Sequence, residues 1–269
     1  MTRSRGWLRS KTFFRIRVAS LLSVLLIVAL FAWRQFSRRR ARNDWERPLT
    51  VALVVLRRGP VEEEAISRLR ERVPVLEQRL GHESSRFAVT LRHPFSFDFY
   101  GPVDVDTAPP SLASNAFTDV ARHAYRQWRY LRQVDAAADL SARGYDSVVY
   151  LVVRPATEGV LTVEGTAQQG GTIGMVEVAL DESMVDFALI VAAHELFHTL
   201  GAADKYSALG QTRIPEGLAE PEREPRFPQR YVEIMARNRP VDEHTETAPE
   251  SLDELAVGPG TAREIGWRR

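Results

Sequence analysis

His194-Glu195-Leu196-Phe197-His198-Thr199-Leu200-Gly201-Ala202-Ala203-Asp204 contains the densest chemistry in the chain. Two histidines four residues apart on a helix project from one face, one turn above the other. Both imidazoles can then reach a single cation at about 2 Å, with the Glu195 carboxylate beside it. Gly201 follows the last apolar residue, where a helix commonly ends on a glycine at positive φ. The turn it makes can bring Asp204 to the same ion. Three protein ligands and an open position make the donor set of a catalytic zinc site. The competing reading is a buried helix whose histidines are ordinary core residues. Val185, Leu189, Ala192, Ala193, Leu196 and Leu200 recur at helical spacing and predict a helix with one side against a core.

Upstream of this helix, the pattern alternates between strands and helices. Leu49-Thr-Val-Ala-Leu-Val-Val-Leu56 reads as a strand buried on both faces, ended by Gly59-Pro60. A helix is predicted from Val61 to Leu80, with Glu62, Glu63 and Glu64 complementing its dipole and Pro74 kinking or dividing it. Phe87 to Arg92 reads as a second strand, His93 to Ser114 as a long ordered loop, and Asn115 to Leu140 as a second long helix. Tyr145 to Arg154 is a further central strand. Val160 to Glu164 and Thr172 to Leu180 read as strands about Gly170-Gly171, the second of them a sheet edge because its apolar and polar residues alternate. Asp181 or Ser183 is the expected cap of the histidine helix. Downstream, four prolines between Ile214 and Gln229 predict a surface loop, Tyr231 to Ala236 returns to apolar character, and Ser251 to Trp267 is expected to be helical with an interruption at Gly258-Pro259-Gly260.

The whole chain of 269 residues has a net charge of +1, which hides an asymmetry. All eleven basic residues of positions 1–42 stand without an acid, so positions 43–269 hold 25 basic against 35 acidic residues, a net of −10. Nucleic-acid binding is a poor expectation for so acidic a folded part. With no cysteine anywhere, disulfides and thiolate zinc sites are excluded, and any transition metal must be held by His, Asp or Glu. Residues 1–17 form a basic tail. Residues 18–36, built on the apolar run Val18 to Trp33, are expected to be an uncleaved membrane anchor, because arginines follow at once and no A-x-A cleavage site closes the run. Residues 37–48 read as a charged linker and 49–269 as one domain, preferred on the extracytoplasmic side with the short basic N-terminus inside.

HELFHTLGAAD, with Met235 downstream, resembles the metzincin clan of zinc endopeptidases, whose motif is H-E-x-x-H-x-x-G-x-x-H/D followed by a methionine turn. Asp204-Lys205-Tyr206 looks most like the snapalysin-type members, which carry aspartate at the third ligand position and a tyrosine two residues on. The match covers Phe187 to Tyr206 and the short Met235 segment. The resemblance implies an α/β (α+β zincin) fold: a twisted mixed sheet with an antiparallel edge strand, an active-site helix and a mostly irregular C-terminal subdomain. It further implies Zn2+ held by His194, His198 and Asp204, Glu195 as general base, Met235 as an apolar floor, and a peptide or protein substrate extended along the edge strand. By the same resemblance Tyr206 is the substitute candidate for the oxyanion-stabilising role that other members give to a tyrosine after the methionine, where this chain has Ala236 and Arg237; the competing reading is simple packing. Arg237 and Arg239 fall where the pocket beyond the scissile bond is shaped. The alternative expectation is a membrane-tethered, non-catalytic zinc module that binds a partner; the presence of Glu195 favours the enzyme.

Overall fold

The β-branched run at Leu49 forms a strand whose interior residues, Val51 through Leu56, have no solvent exposure, as a run apolar on both faces requires. In the computed structural model, which describes residues 11–87, 89–110, 117–141, 144–156, 163–167 and 171–268, this strand, β1 (Leu49–Arg57), has helices on either side of its sheet. The chain divides into two units, residues 1–41 and 42–269. The first is dominated by helix α1 (Lys11–Arg42), which carries a 22-residue apolar stretch, Phe13–Arg34. That stretch is long and apolar enough for a membrane anchor or a signal sequence. Residues 37–48 are not simply a linker. α1 continues to Arg42, and Arg42 and Trp45 are buried at 7 % and 6 % exposure, so the second unit opens at Arg42 rather than Leu49.

The second unit is a mixed α/β fold on a five-stranded, mostly parallel sheet. In chain order its elements are β1, α2 (Glu63–Ser85), β2 (Phe95–Asp104), α3 (Phe117–Ala137), β3 (Ser147–Pro155), β4 (Val163–Ala167), β5 (Ile173–Leu180) and α4 (Val185–Leu200). The strand order is β2-β1-β3-β5-β4; β1, β2, β3 and β5 are parallel and β4 runs antiparallel to β5. Successive side chains of a strand face opposite ways. Val51, Leu53 and Val55 therefore join α2 and α4 in one core, while Ala52, Val54 and Leu56 meet Leu131 and Val134 of α3 in another.

Several expectations need correction. The second strand is Phe95–Asp104, inside the predicted loop, and it pairs Leu49 with Phe95. Phe95, Phe97 and Phe99 alternate with exposed Ser96 and Asp98, a period of two that the flanking prolines obscured. Pro102 is tolerated because β2 is an edge strand. β5, expected at the sheet edge, is interior, with β3 on one side and β4 on the other. Its half-polar look comes from Glu177, which forms ion pairs with Arg58 and Arg154. α2 runs unbroken through Pro74. Pro74 and Arg70, whose carbonyl loses its helical partner, are both exposed, so that carbonyl is not shut away from solvent. The C-terminal stretch is not one interrupted helix. It is a 3-10 turn (Leu252–Glu254), a two-residue strand (Leu255–Ala256, parallel to Val232–Glu233) and the short helix α5 (Pro259–Glu264), which has proline in its first turn.

Candidate metal centre

α4 is positioned by both of its ends. Asp181 accepts hydrogen bonds from the Ser183 and Met184 amides (2.8 and 3.1 Å) and caps the turn that starts the helix. Gly201 ends it at φ 98°, as the sequence predicts, and the Gly201 and Ala202 amides return to the His198 and Phe197 carbonyls (2.9 and 3.1 Å). Between these ends twelve of sixteen residues are buried, leaving little but the face that carries His194 and His198 open.

The two imidazoles lie edge to face with centroids 4.7 Å apart. His194 Nδ1 is 2.8 Å from the Ile234 carbonyl and His198 Nδ1 is 3.0 Å from the Ala202 carbonyl. A carbonyl only accepts, so each ring donates its Nδ1–H there and turns the Nε2 lone pair outward. Both lone pairs meet the same atom: Asp204 Oδ1 is 3.2 Å from His194 Nε2 and 3.1 Å from His198 Nε2. Two lone pairs aimed at a carboxylate oxygen repel unless positive charge lies among them. Donors about 2.0 Å from one tetrahedral ion stand about 3.3 Å apart, close to the separations here. The residues therefore fit a zinc ion in both geometry and donor chemistry.

Without an ion the positive charge must be protons, and the electrostatics respond accordingly. Burial acts to raise the Asp204 carboxyl, but the hydrogen bonds and charge of the two imidazoles outweigh it and hold it far below the usual range. Burial likewise acts to lower His198, while Asp204 and the Ala202 carbonyl raise it above its ordinary value. Glu195 is pushed up, mainly by burial, with Asp204 adding to the effect against the pull of the imidazoles. It is 4 % exposed, its Oε2 has no hydrogen-bond partner among the described residues, and its carboxylate lies within 4.8 Å of the histidine nitrogens.

The Tyr206 ring stacks on His194 at 6.2 Å and 25°. Burial and the Asp204 charge push that phenol up to about 12, with Arg237 acting the other way. Met235 is fully buried in the main core; the link from its segment to the site is the neighbouring Ile234 carbonyl. The Met235 carbonyl also accepts from the Lys205 amide at 2.8 Å, and Glu264 of α5 accepts from the Ala203 amide at 2.9 Å and pairs with Lys205. The loop carrying Asp204 is thus held from two sides. Arg239 is engaged with the Gln229 carbonyl and Glu254. His82, His93, His123 and His244 take no part in the cluster.

Three participants escaped the sequence reading. The Ile234 and Ala202 carbonyls carry no residue-type signature. Gly174 does: a glycine inside a strand marks a close approach. A Cβ there would stand 3.1 Å from both Glu195 Cβ and the Glu195 carbonyl oxygen, so β5 lies against the site helix at the glutamate.

No protein-family model matches the chain, and no curated protein does. Among solved structures, one titled "Structure of a chaperone-substrate complex" aligns over 82 % of this chain and 35 % of its own, at 14 % identity and a TM-score of 0.29. This chain thus spans about a third of that chain's length. Likeness at that level carries no argument about fold or function.

Proposed function

We propose that the chain is a membrane-anchored, zinc-dependent endopeptidase of the metzincin type. The observation that carries this reading is the meeting of His194 Nε2, His198 Nε2 and Asp204 Oδ1 while both Nδ1 atoms are committed to carbonyls. His194, His198 and Asp204 would hold Zn2+, which when bound acidifies a water molecule and polarises the scissile carbonyl. Glu195 supplies the base. Its buried Oε2, without a hydrogen-bond partner among the described residues, takes a proton from the attacking water and passes it to the leaving amine nitrogen. Burial raises its affinity for that proton, which suits a group that must hold it between the two transfers. The Tyr206 hydroxyl, beside His194 and Asp204, donates to the oxygen on which negative charge develops.

The antiparallel strand next to the site helix's sheet neighbour also supports the clan assignment. The end of the sheet is β4, so an extended peptide would pair along Val163–Ala167 and not along Thr172–Leu180. α1 would be the anchor, with the folded unit outside the cytoplasm.

Metal analysis and peptide hydrolysis by the purified full chain test the reading together. Wild type should carry stoichiometric zinc and cleave an unstructured protein. Glu195→Gln should keep the zinc and lose about 10²- to 10⁴-fold in rate, and His198→Ala should lose both. Glu195→Gln with undiminished zinc and no difference from an inactive wild type would identify a non-catalytic zinc module instead.

A further inference from the structure

The last four carbonyls of an α-helix have no partner within it. In α4 these belong to Phe197, His198, Thr199 and Leu200. The first two are met by the helix's own closing turn, through the Ala202 and Gly201 amides. The last two are met by residues more than 150 positions away in sequence. Arg42 Nη2 donates to the Thr199 carbonyl at 3.3 Å, and Asn43 Nδ2 donates to the Leu200 carbonyl at 2.8 Å. Arg42 does more than cap. The same Nη2 reaches the Gly171 carbonyl just before β5 (2.8 Å), and Nη1 reaches the Asp146 carbonyl (3.0 Å) and Ser147 Oγ (3.4 Å) at the start of β3. Ser147 Oγ in turn lies 2.8 Å from Thr199 Oγ1. One buried guanidinium therefore ties the beginnings of two central strands to the end of the site helix. Its charge also complements the negative end of the helix dipole.

The turn clamped in this way runs from His198 to Ala202. It holds a proposed ligand, His198, and the carbonyl that orients that ligand's ring, and the chain proceeds from it to Asp204 two residues later. We propose that Arg42 and Asn43, the first two residues of the folded unit, are positioning residues for the metal site. They fix the turn from which two of the three ligands are presented. The inference rests on the zinc reading above. It adds that the opening residues of the folded unit, at the end of α1, are part of the site's support.

The test compares full-length wild type with Arg42→Ala, Arg42→Lys and Asn43→Ala in detergent. Zinc affinity is measured against a chromophoric chelator, the absorption spectrum is taken after Co2+ substitution, and the metal-free proteins are melted. Arg47→Ala, which removes the exposed partner of the largely buried Asp146 carboxylate and leaves the bonds of Arg42 and Asn43 in place, is the control. Arg42→Ala should weaken zinc binding about 10- to 100-fold, the range for groups that orient ligands, and should alter the cobalt bands. Arg42→Lys keeps the charge without the planar fork and should fall between. Asn43→Ala should show a smaller loss, and Arg47→Ala none. If these variants melt earlier yet bind zinc as wild type does and keep its cobalt spectrum, the residues are merely structural and the inference is overturned. If Arg42→Ala does not fold, the lysine and Asn43 variants decide by the same two readouts. Wild type without stoichiometric metal would overturn the zinc reading itself.

Discussion

At the scale of single residues, the site depends as much on what is missing as on what is present. Gly174 lacks the Cβ that would press on Glu195 Cβ and its carbonyl at 3.1 Å. Gly174→Ala is expected to force β5 and α4 apart by a few tenths of an ångström. Overpacking of that kind costs about 1 to 3 kcal/mol. Thermal unfolding should register the loss, and the proposed hydrolysis should fall further than stability alone explains because Glu195 moves with the backbone. An unchanged melting temperature would mean that the strand yields freely. His194, Glu195, His198 and Asp204 were legible in the sequence because their spacing is a property of helical geometry and of one glycine turn. The groups that aim the imidazoles were not, since any residue at 202 or 234 offers a carbonyl. Tyr206 became a candidate only through likeness to a family, and its ring stacks on His194.

At the scale of elements, the entry to the site helix is held by an ion pair with a sign in pH. Asp186, in the first turn of α4, receives Arg72 of α2 through two bonds (2.7 and 2.6 Å) and the Leu252 amide at 3.1 Å. Burial works to raise its pKa, but Arg72 and the Leu252 amide prevail and lower it. A carboxyl depressed in the folded state contributes stability that is present above the ordinary carboxylate range and is lost as pH falls through its folded value. Asp186→Asn should therefore lower stability by about 1 to 3 kcal/mol at neutral pH and by progressively less below about pH 4. Denaturant titrations of both forms across that range check it; parallel curves would refute the assignment. The elements most legible in the sequence were those with a single strong period, β1, β3 and α4. β2 was hidden because its aromatic alternation lies between Pro94 and Pro102, residues that read as loop punctuation. β5 was found, but its place between β3 and β4 was not. An alternating strand looks like an edge from its own residues, whereas Arg58 and Arg154, which let Glu177 sit inside the sheet, come from elsewhere in the chain.

At the scale of the whole molecule, the proposed ligand set, drawn from α4 and the loop after it, would make metal binding and folding one equilibrium. Free zinc at about 100 times its dissociation constant should stabilise the second unit by about 2.7 kcal/mol, and a strong chelator should lower its melting temperature correspondingly. A melting temperature indifferent to both would leave the three donors without a metal. The two-unit division was legible only approximately, because charge marked residues 37–48 as linker while burial assigns Arg42 and Trp45 to the fold. Trp45 has one more implication. Its indole Nε1 donates to the Ile265 carbonyl at 2.8 Å, and its ring meets Trp267 at 5.6 Å, so the folded unit begins and finishes at the same spot. A short peptide bridging Arg268 to Arg42 would close the unit into a loop, and cutting that loop within the proline-rich stretch 214–229 would give a circular permutant in which the aromatic clasp survives.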